Sequence, residues 1–423
     1  MRLPPLAAEL TGTRAPTGIV RAAWRKWLFR LPAVLGAGLL VFQAFEIGWN
    51  GGVGAMVRGA PVRVPLPPGY VSEPPTPLSA ANLASGAWQH YAANHVRSLT
   101  RMYRDATRWK YQIYYSALGM AGTPDITVGR GGELLAHDYI TDYCRFDPVA
   151  MEARALPWAE RLRALQDFFR ARGQMFIYVV TPSKVAIHPE YLPASYPCPG
   201  RAYDGRKMEI YHPALQKAGV AFIDGPAIVR RALPDAPFDL FPRGGIHWNQ
   251  LGAALAARAF IAEMDAQGAG LPQLDFDVAI SHHPQDIDRD LLDLLDLNLS
   301  YEYGSYPVPV LTFHSQVDGA CATRHIVEVT GSFIFEIDNT LRQLACAPDM
   351  RVYFYWNREA YHTGPIESRG GWKTHDADPS KRREDILSWA DVIVLEENEE
   401  MLPESEHARA LMAMVKDDLQ ASR

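Results

Sequence analysis

The chain has 423 residues, 48% of them hydrophobic and 21% charged, with a formal net charge of −6. That is length and apolar content enough for one large or two ordinary domains with a packed core. The negative balance argues against a phosphate-tracking protein, so no nucleic-acid partner is expected; basic residues cluster only in the first thirty positions and at Lys381-Arg382-Arg383.

The first element in chain order is a basic leader, residues 1–26, carrying Arg14, Arg21, Arg25 and Lys26. An apolar segment follows at 27–46, charge-free from Leu31 to Phe45. With Arg30 snorkelling, it is long enough for a transmembrane signal anchor, and its basic flank should stay cytoplasmic and send the rest outward. A cleaved signal peptide is the rival reading, but no small-x-small site follows the apolar run. Residues 47–84, rich in Gly and Pro, read as a spacer, and residues 85–423 as the working domain.

Within that domain the pattern is first helical and aromatic, from Ala80 to about Ala117. Leu162, Leu165, Phe168 and Phe169 form a helical stripe stopped by Gly173. Met175–Val180 and Val220–Ile223 read as strands; the first is continuously apolar, as a strand covered on both faces is. Leu251–Met264 is helical, Ile326–Val329 a strand, and Ile334, Ile337, Leu341 and Leu344 mark the next helix. Val352–Trp356 and Val392–Leu395 complete at least five strands, and Glu404–Leu419 is an amphipathic helix. The alternation predicts an α/β fold with a mostly parallel sheet and helices on both sides. Pro284–Ala320 reads as an insertion beside the site, without evident chemistry.

Ligands bind beyond the carboxyl ends of strands in such sheets, and Ser332 stands at such an end, in Gly331-Ser332-Phe333. Serine needs a base, and His247, in Gly245-Ile246-His247-Trp248-Asn249, is the candidate. Gly331 and the helix start at Phe333 are expected to supply oxyanion-holding N–H groups. A helix cap is the plainer role for Ser332, and a capping or core histidine for His247. Orientation of the imidazole calls for an acid; Asp239 and Asp224 are candidates, with a backbone carbonyl as the alternative. Trp248, Asn249, Lys184, Tyr355 and Trp356 are candidates for substrate contact, with core packing or an exposed lysine as the plainer roles. The cysteines are Cys144, Cys198, Cys321 and Cys346; Cys144–Cys198 with Cys321–Cys346 pairs near neighbours. No C-x-x-C, histidine cluster, Walker A or dinucleotide motif occurs, so no metal or cofactor is expected.

A set of motifs goes further. Ile126-Thr127-Val128-Gly129-Arg130-Gly131-Gly132-Glu133-Leu134-Leu135, Tyr139-Ile140, Val179-Val180-Thr181-Pro182-Ser183-Lys184 and Pro189-Glu190-Tyr191-Leu192-Pro193 occur in order. His247-Trp248-Asn249 with Gly252, then Gly331-Ser332-Phe333, complete the set over roughly residues 85 to 400. In these the chain resembles the SGNH-hydrolase-like alginate O-acetyltransferases, the AlgX/AlgJ family. The resemblance implies a three-layer α/β/α domain in the periplasm, anchored in the bacterial inner membrane. It implies Ser332 as nucleophile, His247 as base, an exopolysaccharide acceptor, and a membrane-bound O-acyltransferase as acetyl supplier. Two positions depart from the family pattern: Gly245 replaces the Asp of Asp-x-His-Trp, and the nucleophile segment lacks Gly-Asp-Ser. A carbohydrate acetylesterase with the same Ser/His pair, or a non-catalytic polysaccharide-binding accessory protein, are the alternatives.

Overall fold

In the computed structural model, the described residues are 37–53, 56, 75–194, 196–203, 206–299, 305–315, 323–363 and 369–421. They divide into two compact units, 1–108 and 109–423. In the first, residues 37–47 are helical and are followed by the helices Ala80–Ala84 and Ala87–Arg97. Glu46 accepts the Thr100 hydroxyl at 2.7 Å, and the Asn50 amide donates to the Leu99 carbonyl at 2.8 Å. The expected anchor begins outside the described residues, as does most of the Pro-rich spacer. Among the described residues, no helix is long and apolar enough to cross a membrane.

The strands of the second unit are β1 (Ile126–Val128), β2 (Leu134–Ala136), β3 (Met175–Thr181), β4 (Phe222–Asp224), β5 (Leu274–Ser281) and β6 (Val308–Ser315), then β7 (His325–Thr330), β8 (Asp349–Phe354), β9 (Arg358–His362), β10 (Trp372–Asp376) and β11 (Val392–Asn398). Seven form the main sheet, in the order β10-β9-β8-β7-β11-β3-β4. From β8 to β4 every pairing is parallel; β9 and β10 add on antiparallel. Leu395 of β11 lies opposite both Tyr178 and Val329, so β11 runs through the middle.

Successive strand residues point to opposite faces, and the two apolar layers follow from that. On β3, Ile177 and Val179 pack with the helices Gln250–Ala266 and Ile334–Leu341. Phe176, Tyr178 and Val180 pack with Pro148–Arg170, Lys207–Ala218 and Glu406–Ala421. All five are 0–1% exposed, which is why the sequence there is continuously apolar. The first of these helices starts where Asp147 accepts the N–H groups of Val149 and Ala150, with Pro148 in its first turn. The three-layer architecture agrees with the expectation.

The sheet is mostly parallel, as expected, with two antiparallel strands added on: Arg358–His362 and Trp372–Asp376 are polar sequences that carry no apolar signal. Two expectations need correction. The strand at Val352 stops at Phe354, because Tyr355 and Trp356 turn at φ 44° and 70° into the β8–β9 hairpin. The insertion at Pro284–Ala320 holds β6, paired with β5, and a short helix, Asp290–Leu294. Cys144 and Cys198 form a disulfide. Cys346 is also disulfide-bonded; Cys321 lies outside the described residues.

Candidate active site

β7 delivers Ser332 to the carboxyl edge of the sheet, between β11 and β8. The strand closes on Thr330, whose carbonyl accepts the Tyr355 N–H at 2.8 Å, and the chain then turns into the helix Ile334–Leu341. Phe333 stands at that helix's N-cap position without a side-chain cap bond. The Ser332 hydroxyl lies instead 2.8 Å from His247 Nε2. It is half-buried, and so reachable.

His247 sits on the loop before Gln250–Ala266, a helix capped by Asn249, whose Oδ1 accepts from Leu251 N and Gly252 N at 3.1 Å. The ring lies against Phe333, centroids 4.5 Å apart, with 13% of its side chain exposed. Its Nδ1 lies 2.5 Å from Asp290 Oδ2. Asp290 Oδ1 accepts the N–H groups of Ile246 at 2.9 Å and Leu291 at 2.7 Å, which fixes the carboxylate plane. Serine, imidazole and carboxylate thus stand in line, as proton transfer from Oγ to Nε2 requires.

The carboxylate that reaches the ring is Asp290, from the segment read as having no chemistry. Asp239 does not reach His247: it faces His188 Nε2 at 2.8 Å and accepts from the Tyr191 hydroxyl and Phe241 N. Asp224 pairs with His212 at 2.6 Å. Gly245 explains the exchange. A Cβ there would lie 2.4 Å from the Ile287 carbonyl oxygen and 2.8 Å from Pro242 Cγ, so the chain leading to Asp290 occupies the space an aspartate at 245 needs.

Other candidates resolve into packing. Trp248 is fully buried, and its Nε1 donates to the Phe333 carbonyl at 3.1 Å, tying the histidine loop to the Ser332 turn. Asn249, 1% exposed, is a helix cap. Trp356 packs under the Arg382 guanidinium, 4.0 Å from ring centroid. Lys184 is buried and does not line the site. Its ammonium donates to the carbonyls of Leu134, Pro242, Arg243 and Gly245 at 2.8–3.2 Å and pairs with Glu133 at 3.1 Å. Three of those carbonyls belong to the chain just before His247, so Lys184 positions the loop. Burial lowers its pKa, and Glu133 opposes that.

Tyr355 does border Ser332. Burial and the nearby Glu396 carboxyl raise its pKa, so the phenol stays protonated. Tyr139 stacks on Phe333 with centroids 6.2 Å apart, and burial raises its pKa too. Glu396, at the inner end of β11, was not foreseen. Its Oε2 accepts the Gly331 N–H at 2.7 Å and its Oε1 the Thr181 hydroxyl at 2.5 Å. Fully buried, it is pushed up to about 7 by desolvation. Gly331 N–H is therefore engaged and is not a free oxyanion donor. Among the described residues, no group of three or more His, Cys, Asp or Glu side chains is placed to hold a metal ion.

A family model described as the SGNH hydrolase-like domain of acetyltransferase AlgX matches residues 145–320. The chain is AlgX/AlgJ-like. The matched residues include His247 and Asp290 and stop before Ser332. A probable alginate O-acetylase AlgJ from Pseudomonas aeruginosa is 27% identical over 200 residues, 47% of this chain and 46% of that protein. The match thus spans about half the length of that relative. Among solved structures, the O-acetyltransferase domain of Pseudomonas putida AlgJ is 19% identical, covering 70% of this chain and 100% of that one at TM-score 0.44. Pseudomonas aeruginosa AlgX is 13% identical, covering 73% and 70% at TM-score 0.41.

Proposed function

We propose that the chain is an O-acetyltransferase that modifies an exopolysaccharide in the periplasm through an acetyl-Ser332 intermediate. The observation that carries this is the Ser332–His247–Asp290 line, 2.8 Å and 2.5 Å between successive partners. His247 Nε2 takes the Ser332 proton as Oγ attacks the donor's acetyl carbonyl. Asp290 holds the opposite ring nitrogen and stabilises the imidazolium. The Phe333 N–H at the helix start and the Tyr355 hydroxyl beside Ser332 are the donors for the oxyanion. Collapse expels the donor's leaving group with the proton from His247. A sugar hydroxyl then gives its proton to Nε2 and takes the acetyl group, and Ser332 is restored.

The AlgX/AlgJ likeness supports the acetyl group and the polysaccharide acceptor. The basic leader and the apolar run to Phe45 support an inner-membrane anchor, with a membrane-bound O-acyltransferase as acetyl supplier. Incubation with 4-nitrophenyl acetate should leave one acetyl group on the Ser332 peptide by mass spectrometry, and none on Ser332→Ala. Equal labelling of both would overturn the proposal. Product analysis with an oligosaccharide acceptor separates transfer from hydrolysis, and an alkaline phosphatase fusion after residue 84 reports the topology.

A further inference from the structure

The helix Arg101–Leu118 carries large apolar side chains outside the core. Its inward side is fixed: Tyr111 and Tyr115 pack on the cluster of Ile126, Leu134, Leu291 and Leu292, and the buried Gln112 accepts the Leu299 N–H at 2.9 Å. Its outward side is not polar. Trp109 and Ile113 stand one turn apart on one face, with Leu118 and Met120 where the helix ends, and all four are 54–59% exposed. Large apolar side chains gathered in this way mark a contact surface rather than ordinary scatter.

Charge indicates what covers that surface. The helix has four cations, Arg101, Arg104, Arg108 and Lys110, against one carboxylate, Asp105, in a chain whose net charge is −6. A basic amphipathic helix with tryptophan on its apolar face suits the boundary between anionic headgroups and acyl chains. There the long cationic side chains reach outward to phosphate and the indole rests at the interface. A second copy would instead bring another set of the same cations to the contact, which disfavours self-pairing. The helix also starts in a suitable place: Glu46, directly after the apolar run, accepts the Thr100 hydroxyl at 2.7 Å and the Arg101 N–H at 3.1 Å.

We infer that Arg101–Leu118 is an interfacial helix lying along the membrane surface, with Trp109, Ile113, Leu118 and Met120 in the acyl boundary and the cations among anionic phospholipid headgroups. The inference goes beyond the anchor of the function proposed above and takes from it only the side of the membrane. An anchor followed by a flexible spacer tethers a domain without orienting it. A second contact, lying in the surface, fixes which side of the domain meets the bilayer. That contact is one packed layer from the proposed relay, since Leu291, in the cluster on which Tyr111 and Tyr115 pack, follows Asp290 in the chain.

The test uses the full chain in phosphatidylcholine vesicles containing about one third phosphatidylglycerol. With the native disulfides left intact, Ile113→Cys takes an NBD label; Val149→Cys, at a position 74% exposed on another helix, is the control, and wild type gives the blank. Doxyl-labelled lipid should quench the label at 113 about threefold more than the label at 149, and acrylamide in the water should do the reverse. Omitting phosphatidylglycerol, or introducing Lys110→Glu, should weaken the lipid quenching about twofold. Equal doxyl quenching at the two positions overturns the inference, and so does quenching indifferent to headgroup charge. A label at 113 that is shielded from acrylamide yet untouched by doxyl lipid also overturns it, because protein, such as a second copy, then covers the face. Extraction with alkaline carbonate reads the anchor separately: a chain that it releases has no anchor, and the same label comparison, on vesicles added to the released chain, still decides the helix.

Discussion

Asp290→Asn separates charge from shape at the proposed acid. The amide oxygen can still accept the Ile246 and Leu291 N–H groups that Oδ1 accepts now, so the loop should hold. What changes is the face toward His247 Nδ1, 2.5 Å away, where a carboxylate oxygen becomes an NH₂ group. The imidazole must then accept at Nδ1 and carry its proton on Nε2, the nitrogen that has to receive the serine proton. The lost ion pair alone amounts to about 4 kcal/mol, for charge centres about 4 Å apart at an effective dielectric of about 20. That is a loss of roughly a thousandfold in Ser332 acetylation, with the tautomer change adding to it. Stopped-flow release of 4-nitrophenolate measures it, and a thermal melt checks that the fold is kept. If Asp290→Asn stays within about tenfold of wild type while Asp239→Asn abolishes acetylation, the assignment of the acid is wrong.

Gly245→Ala should also cut the acetylation rate, since its Cβ would press on the Ile287 carbonyl and displace Asp290; a crystal structure of the variant should show the Asp290–His247 contact lengthened. Lys184→Met leaves four carbonyls without their buried donor and should lower unfolding free energy in urea by roughly 3 kcal/mol or more. Burial raises the Glu396 carboxyl in the folded state to about 7 from its ordinary 4.5. The native chain therefore holds a proton that the unfolded chain has released, and stability falls as pH rises through that window. Denaturant titrations between those pH values should show wild type losing roughly 3 kcal/mol relative to Glu396→Gln. A flat difference would refute the raised carboxyl.

The sequence made Ser332 and His247 visible because each sits where a secondary-structure pattern ends, and such ends follow from periodicity. Strand β3 was legible for the same reason, having apolar residues on both faces. Asp290 was not, because DIDRDLLDLLD offers five carboxylates in eleven residues and only tertiary folding selects one. Glu396 was hidden at the end of an apolar strand, where VIVL runs into a glutamate pair whose partners, Thr181 and Gly331, come from distant segments. The plain roles of Trp248 and Asn249 depend on what lies across the loop, which spacing does not encode. Lys184 was misplaced for a related reason: an ammonium is buried only where carbonyls converge, and those converge from two separate segments.

Gly245 has a practical bearing on how chains of this kind are recognised. A search keyed to an unbroken Asp-x-His-Trp string would file this one among the inactive homologues. With the carboxylate arriving from forty-three residues downstream of the imidazole, that label would overlook a serine, an imidazole and a carboxylate that meet in three dimensions.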